Sequence, residues 1–230
     1  MIKHHPHAEL LQAHAQGELP LSMSMAVAAH CALCQECQNQ IAKLTEQAAK
    51  LAFVSSSDDP VQHNASNEID VVDNDPWQQM LSNIMALPES TMSEPYIESS
   101  VTVSHRNIRY QIPRVFRQHI ALPWQQIGKV SRMRFDIDEK NTRASLLYIE
   151  ALGEIPQHTH KGFELTLLLS GEFSDSTGNY VVGDFIILDG NTQHSPTTQT
   201  GCLCYTVLDA PLYFTKGISK LLNPIGELIY

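Results

Sequence analysis

The sequence predicts an α + β protein of two domains, a small helical bundle followed by an antiparallel β-barrel or sandwich. From about His7 to Phe53 the chain consists of helix formers, with apolar residues three and four positions apart. After about Val101 the pattern changes to short β-rich segments separated by Gly, Asp and Asn. A chain of 230 residues is long enough for two small domains.

Three short helices are predicted in the first part of the chain. Gly17 stops the first helix, and Ser22 or Ser24 can cap the second. The third helix ends at residues 55–60, SSSDDP, where an acidic linker over about 55–75 begins.

A fourth helix is predicted over about 76–87, and with it the helical domain extends over residues 1–90. Its apolar side chains fall on one helical face: Trp77, Met80, Leu81, Ile84 and Leu87. A single helix with such a stripe needs a partner to cover it. That partner is either another protein or the β-rich domain of the same chain.

The β-rich domain is predicted over residues 105–230, after a second linker over 91–104. Its strands are predicted at Ser145–Glu150, Phe163–Leu169, Asn179–Leu188 and Cys202–Leu208. Turn residues between short strands at such spacing are typical of an antiparallel barrel or sandwich.

The composition excludes several classes of protein. The formal net charge is -10, which disfavours a surface that grips nucleic-acid phosphates directly. Residues 1–90 hold 3 basic and 11 acidic side chains, which suits a basic protein partner or is simply a solvated acidic surface. The sequence lacks an apolar run of roughly 18 residues and starts without the apolar stretch of a secretory signal, so we expect a cytoplasmic protein.

The five cysteines form two tight clusters, which favours metal binding or thiol chemistry over structural disulfides. In the first cluster, His30, Cys34 and Cys37 form H-x3-C-x2-C inside the second predicted helix or at its end, and at 100° per residue these positions fall within about 60° on a helix. Thiolate and imidazole ligands favour Zn²⁺, with an early histidine as the fourth ligand. Cys31 points about 100° away from His30 on the same wheel. We therefore leave Cys31 out, although C-x2-C-x2-C is a rival set.

A second set of metal ligands lies in the β-rich part. His158 and His160 alternate on a predicted strand and so share a face, and Glu164 follows four residues later. His194 comes from a later segment. Three imidazoles and one carboxylate suit Zn, Fe, Mn or Ni without selecting one of them.

These residues resemble the two motifs of the cupin superfamily, G-x5-H-x-H-x3,4-E-x6-G and G-x5-P-x-G-x2-H-x3-N. The first motif is matched with one residue fewer after Gly153, and in the second Gly183 and His194 keep their spacing. Three other positions of the second motif depart from the pattern: Asp189, Asn191 and Thr198. The resemblance implies a cupin barrel of the jelly-roll type and its metal more firmly than a cupin enzyme activity.

The combination of modules resembles the ChrR-type zinc anti-sigma factors over nearly the whole chain. The similar segments are HHPHAELLQAHAQGEL, AHCALCQEC, the helix after Pro76-Trp77, GEFSDSTGNYVVGDF and GCLCYTVLDAPLYFT. In that family the zinc domain covers the surfaces by which an ECF-type sigma factor would bind core RNA polymerase. The cupin domain of that family senses singlet oxygen or related oxidants.

The resemblance also implies the ligands of both sites. The first zinc would be held by His5, His30, Cys34 and Cys37, because the family's early ligand is the second residue of a His-His pair. His4 and His7 remain alternatives. The cupin site would hold Zn or another divalent metal with four ligands: His158, His160, Glu164 and His194.

The second cysteine pair, Cys202 and Cys204, lies two residues apart on a predicted strand and therefore faces one side. Burial in the core and an oxidant-reactive role are both open for this pair.

The function predicted from the whole sequence is a non-enzymatic anti-sigma factor that releases an ECF-type sigma factor under oxidative stress, signalled by singlet oxygen or an organic hydroperoxide. The alternative is a metal-dependent cupin enzyme, such as a dioxygenase or isomerase.

Overall fold

The computed structural model describes residues 1–54, 76–86, 100–120 and 123–216. Within them the helices are α1 (Ala8–Gln16), α2 (Leu21–Leu33), α3 (Gln35–Val54) and α4 (Pro76–Met85), with a 3-10 turn at Arg114–Phe116. The strands are β1 (Ser100–His105), β2 (Ile108–Pro113), β3 (Gln125–Ile127), β4 (Val130–Arg134), β5 (Arg143–Ile149), β6 (Gly153–Glu154), β7 (His158–His160), β8 (Glu164–Ser174), β9 (Asn179–Val181), β10 (Phe185–Leu188), β11 (Thr197–Thr198), β12 (Cys202–Leu208) and β13 (Leu212–Phe214). The predicted class, helices followed by a curled antiparallel sheet, is confirmed.

The helix ends follow the predictions in part. Gly17 ends α1 with a left-handed φ of 74°, a conformation that glycine adopts without steric cost. The prediction that Ser22 or Ser24 caps α2 is wrong, because Pro20 occupies the N-cap position and no side chain caps the helix. Ser22 lies inside the first turn, and its hydroxyl donates to Glu139 instead of to the helix backbone.

The expectation that His30, Cys34 and Cys37 lie on one continuous helix face is also wrong. Cys34 has φ -123° and ψ 105°, which is extended backbone, and it ends α2. Cys37 then lies in the first turn of α3. The chain bends at Cys34 itself, so the three side chains converge from two helices and the bend between them.

Within the described residues, nine strands form one antiparallel sheet around a central pair, β8 and β12. The order along the sheet is β3-β4-β5-β12-β8-β11-β6, and β9 and β10 also pair with β8. Two further antiparallel pairs are the hairpin of β1 with β2 and the pair of β13 with β7. The long strand β8 therefore pairs with four other strands of this sheet. Its first residue, Glu164, is held by the central part of the sheet.

Strand bounds differ from the prediction at two places. The β-rich part begins with β1 at Ser100, inside the linker predicted over 91–104. The predicted strand Asn179–Leu188 is two strands, because the chain turns at Gly183, whose φ is 95°. A left-handed residue cannot continue an extended strand, so the turn breaks it there.

Helix α2 packs against the barrel as well as against α1. Its buried residues are Ser22, Met25, Ala26, Val27, Ala29, His30 and Cys31. The phenol of Tyr205, in β12, donates to the Ser22 carbonyl at 3.0 Å, and the Ser22 backbone N–H donates to Glu139 at 2.8 Å. Met1–Ala49 and Ser99–Tyr230 accordingly form one compact unit.

The second unit, Lys50–Glu98, contains α4. All described residues of α4 are exposed, including the apolar stripe residues Trp77, Met80, Leu81 and Ile84. Leu87, the last residue of the predicted stripe, lies outside the described residues. Among the helices that the structure describes, none is both long enough and apolar enough to span a membrane.

The Tyr205 phenol gives a test of the contact between the helices and the barrel. Tyr205→Phe removes a buried hydrogen bond without changing the packing of the ring, so we expect the free energy of unfolding to fall by about 1 kcal/mol. Urea denaturation measures this change. Tyr213→Phe, at a residue that is 44% exposed, is the control and should leave stability unchanged. Equal stabilities of the two variants would contradict the contact.

Candidate metal centres

The first candidate metal centre lies where the N-terminal segment meets α2 and α3. The ligand atoms of His5, His30, Cys34 and Cys37 all lie within 4.8 Å of one another. His5 Nδ1 is 3.5 Å from Cys34 Sγ and 3.4 Å from Cys37 Sγ. Of the early histidines considered from the sequence, His5 is the one that the structure brings to this cluster.

The orientation of His30 leaves one ring nitrogen free for a metal. Its Nδ1 donates to the carbonyl oxygen of Gly183 at 2.7 Å, since a carbonyl can only accept. Burial lowers the pKa of His30, which keeps the ring neutral. Nε2 is buried without a hydrogen-bond partner and carries a lone pair, so this nitrogen fits a metal ion.

The thiols of Cys34 and Cys37, beside His30, are better suited to binding a metal ion than to simple burial in a hydrophobic core. Burial, helped by the neighbouring Cys34, raises the pKa of Cys37 to about 12, so a cation is needed to stabilise its thiolate. The four donors are two sulfurs and two imidazole nitrogens, the set that tetrahedral Zn²⁺ takes in structural sites. Cys31 is buried beside the cluster but is not one of its four members.

The second candidate centre lies in the barrel. Its ligand atoms, from His158, His160, Glu164 and His194, also lie within 4.8 Å of one another. Glu164 Oε2 is 2.8 Å from His160 Nε2 and 3.2 Å from His194 Nε2. Strand β7 supplies the first two histidines, and Glu164 begins β8.

Backbone pairing and outer contacts fix the imidazole rings of this second centre. His194 pairs with His158 through two backbone hydrogen bonds of 3.0 and 3.1 Å. His158 Nδ1 donates to the Pro156 carbonyl at 2.8 Å, and His194 Nδ1 lies 3.3 Å from Asp175 Oδ2. In both rings Nε2 is left to face the centre, which is the usual arrangement of metal-binding histidines.

The ionisation of these side chains shows strong electrostatic coupling. Burial lowers the pKa of His158 to about 4. Burial opposes charge on His194 too, but its contacts with Asp175 and Glu164 outweigh it and raise the pKa to about 9. Burial likewise opposes charge on Glu164, yet the neighbouring histidines His160 and His194 hold its pKa well below its usual range. The donor set of one carboxylate and three buried imidazoles suits a divalent cation, which would displace the proton of His194 on binding.

A small cavity of about 30 Å³ adjoins the second centre. Its lining includes three of the candidate ligands, and Cys204, Asp175 and several apolar side chains also line it. This is room for about two molecules of the size of water.

Both cysteines of the second pair are buried and free. A contact with Cys202, together with burial, raises the pKa of Cys204 well above its usual value. Because the thiolate is the nucleophile, both effects protect the Cys204 thiol from reaction. The oxidant-reactive role of Cys202 and Cys204 stays a prediction.

Three residues that support the ligands were not singled out from the sequence for this role. Asp175 contacts His194 but lies 19 positions away, so spacing gave no signal for it. Gly183 matches a glycine of the second cupin motif, and Asp184 has no place in that motif. In the structure Gly183 contacts His30, and Asp184 contacts the backbone of Lys3. The signal for them is Gly-Asp inside a strand pattern, which indicates a turn or a close backbone approach.

The described residues define a class of protein in which a helical unit with one candidate metal centre packs on a curled antiparallel sheet with a second. Residues 113–211 match the family model described as the ChrR cupin-like domain. The chain is 28% identical to the anti-sigma-E factor ChrR of Cereibacter sphaeroides over 99% of both chains. The crystal structure of Rhodobacter sphaeroides SigE in complex with the anti-sigma ChrR superposes with a TM-score of 0.61 at 24% identity, covering 91% of this chain and 100% of that one. The resemblance to ChrR-type anti-sigma factors is thus confirmed.

The first centre gives a direct test of its ligands. Cys34→Ser or Cys37→Ser opens the ligand shell, so we expect each variant to lose about one metal equivalent and to loosen the helical unit. Elemental analysis and circular dichroism measure the two effects. Cys31→Ser, a neighbouring buried thiol outside the ligand set, is the matched control and should keep its metal. Unchanged metal content in the Cys34 and Cys37 variants would refute the assignment.

Proposed function

We propose that the protein is an anti-sigma factor that sequesters an ECF-type sigma factor and releases it when the cupin domain senses oxidative stress. One observation carries this proposal: the similarity to an anti-sigma-E factor extends over 99% of both chains. The proposal is also supported by the proximity of the potential ligand atoms, which lie within 4.8 Å of one another in each of the two candidate sets. The protein acts by binding a partner and needs no substrate turnover.

Zinc is the proposed metal of the first centre, because two thiols and two imidazoles are its preferred structural set. Bound there, zinc would tie the N-terminal segment at His5 to α2 and to α3 at Cys37, and would contribute folding energy to a small helical unit. The second centre, with nitrogen and oxygen donors, would hold zinc or another divalent metal.

The surface for the sigma factor includes the apolar stripe of α4. Leu81 is 60% exposed and Ile84 is 54% exposed, and Met80 lies beside them on the same face. An exposed apolar helix face is typical of helix-in-groove recognition. The acidic surface of residues 1–90, with 11 acidic and 3 basic side chains, would complement a basic partner.

The cavity beside the second centre favours a sensor over the alternative, a cupin dioxygenase or isomerase. A site for an organic substrate needs roughly 300 Å³ or more, whereas this cavity has about 30 Å³.

The proposal is tested by co-expression with the ECF-type sigma factor expected to be encoded beside it, followed by size-exclusion chromatography and metal analysis. We expect a stable complex that contains zinc. A folded, metal-loaded protein that elutes without the sigma factor would contradict the proposal and favour the cupin enzyme.

The stripe of α4 gives a more specific prediction. Replacing Leu81 and Ile84 together by Ser removes two large apolar contacts worth about 1.5 kcal/mol each, so sigma affinity should fall about 100-fold. Isothermal titration calorimetry measures the affinity. The matched control replaces Gln79 and Asn83 by Ser on the other side of the helix, and it should bind normally. Equal affinities of the two double variants would exclude the stripe from the interface.

The second centre should be dispensable for binding and necessary for the response. We expect His160→Ala or Glu164→Ala to leave sigma binding intact while sigma release under singlet oxygen is blunted. A sigma-dependent reporter, read with and without a photosensitiser in the light, measures both properties. Constitutive release in these variants would show instead that the cupin metal maintains the complex.

A further inference from the structure

The turn between β9 and β10 of the barrel reaches the N-terminal segment that carries His5. The backbone N–H groups of Lys3 and His4 donate to Asp184 Oδ1 at 2.7 and 3.0 Å. In return, the Phe185 N–H donates to the His4 carbonyl at 2.9 Å. Three hydrogen bonds from the barrel therefore fix the two residues directly before the proposed ligand His5.

The same turn fixes the second imidazole of the first centre. The Gly183 carbonyl accepts the Nδ1 proton of His30 at 2.7 Å, and the Phe185 ring lies edge-on to the His30 ring with centroids 5.7 Å apart. Gly183 also lets the N-terminus approach. A Cβ at this position would lie 2.4 Å from Cδ1 of Ile2, so a side chain there would push Ile2 away.

Asp184 is built into its own turn as well. Its Oδ2 accepts the Val181 N–H at 2.9 Å, which leaves Oδ1 directed at the N-terminal segment. Asp184 is fully buried, and a buried carboxylate with three backbone donors is a well-satisfied group that holds its partners firmly.

The segment from Asp175 to Phe185 thus contacts both centres. At one end, Asp175 lies 3.3 Å from Nδ1 of His194 in the second centre. Between the ends, the ring of Tyr180 packs against the ring of His4 at 5.1 Å, and its phenol lies 3.5 Å from Asp175.

We propose that Gly183 and Asp184, although they belong to the barrel, are positioning residues of the first metal centre. Through them the barrel sets how firmly the N-terminal ligands His5 and His30 hold their metal. This inference rests on the proposed metal site at the first centre and is independent of sigma binding. It deepens the proposed function by naming the contact through which a change in the barrel reaches the helical unit.

The test uses the full-length protein loaded with Co²⁺, because thiolate-to-cobalt charge-transfer absorption reports only the cysteine-containing centre. Asp184→Asn alters the acceptor from the barrel side. Lys3→Pro removes one donor from the N-terminal side and leaves the barrel untouched. Loss of an outer contact typically weakens metal binding 10- to 100-fold, so both variants should lose the absorption to excess EDTA about 10-fold faster than the wild type.

Three controls separate positioning from general loosening. Lys3→Ala keeps the backbone N–H, and Asp189→Asn makes the same charge change at an exposed residue whose carboxylate bonds within its own turn. Tyr205→Phe weakens a different contact between helices and barrel. All three should release cobalt at the wild-type rate.

The outcomes distinguish the two proposals. A wild-type protein without the charge-transfer band would refute the metal site, and the inference with it. A band that decays at the same rate in the wild type, Asp184→Asn and Lys3→Pro would overturn the inference alone. Equally fast release in Tyr205→Phe would also overturn it, because the effect would then be general loosening of the interface.

Discussion

The burial of helix α2 between α1 and the barrel is the constraint on which the rest of the structure depends. Seven of its 13 residues are buried, and it contacts α1, the 3-10 turn, β2 and β12. A helix that is covered on more than one side has no room for a solvated polar face. The sequence of α2, LSMSMAVAAHCAL, accordingly lacks such a face. The barrel holds both ends of this helix, at Ser22 through Glu139 and at His30 through Gly183. A ligand of the first centre is therefore fixed by the packing of the barrel.

The two centres use the same way of orienting imidazoles and differ in the chemistry of their other donors. His30 and His158 each donate Nδ1–H to a backbone carbonyl, which leaves Nε2 for the metal. The first centre adds two sulfurs, which would complete a tetrahedral zinc shell and suit a structural role. The second adds the carboxylate of Glu164 and adjoins a cavity of about 30 Å³. A closed shell suits holding a fold together, and a centre beside a small cavity suits contact with a small oxidant.

Seven of the eight candidate ligands were predictable from residue types and spacing, because ligand chemistry restricts both, whereas His5 was selected among the early histidines only by the family resemblance. The alternation of His158 and His160 follows from the period of a strand and needs no tertiary information. The break at Cys34 was not predictable in this way, because a helical wheel assumes a continuous helix. The contact of Asp184 with Lys3 joins residues 181 positions apart, and no local pattern encodes such a distance. Local patterns therefore predict seven of the donors, the family resemblance adds His5, and tertiary packing decides how all eight are held.

The contact between the turn at Gly183 and the N-terminal segment contributes a free energy of the size that regulation requires. It consists of four hydrogen bonds, from the backbone of Lys3, His4 and Phe185 and from the His30 ring. A typical hydrogen bond contributes about 1 kcal/mol net, so the loss of two changes the free energy by about 2 kcal/mol. A coupling of that size shifts a binding equilibrium about 30-fold, within the usual range for allosteric proteins. Under the proposed function, a signal at the second centre would not need to unfold the barrel. It would need only to displace the segment from Asp175 to Phe185, because that segment contacts candidate ligands of both centres.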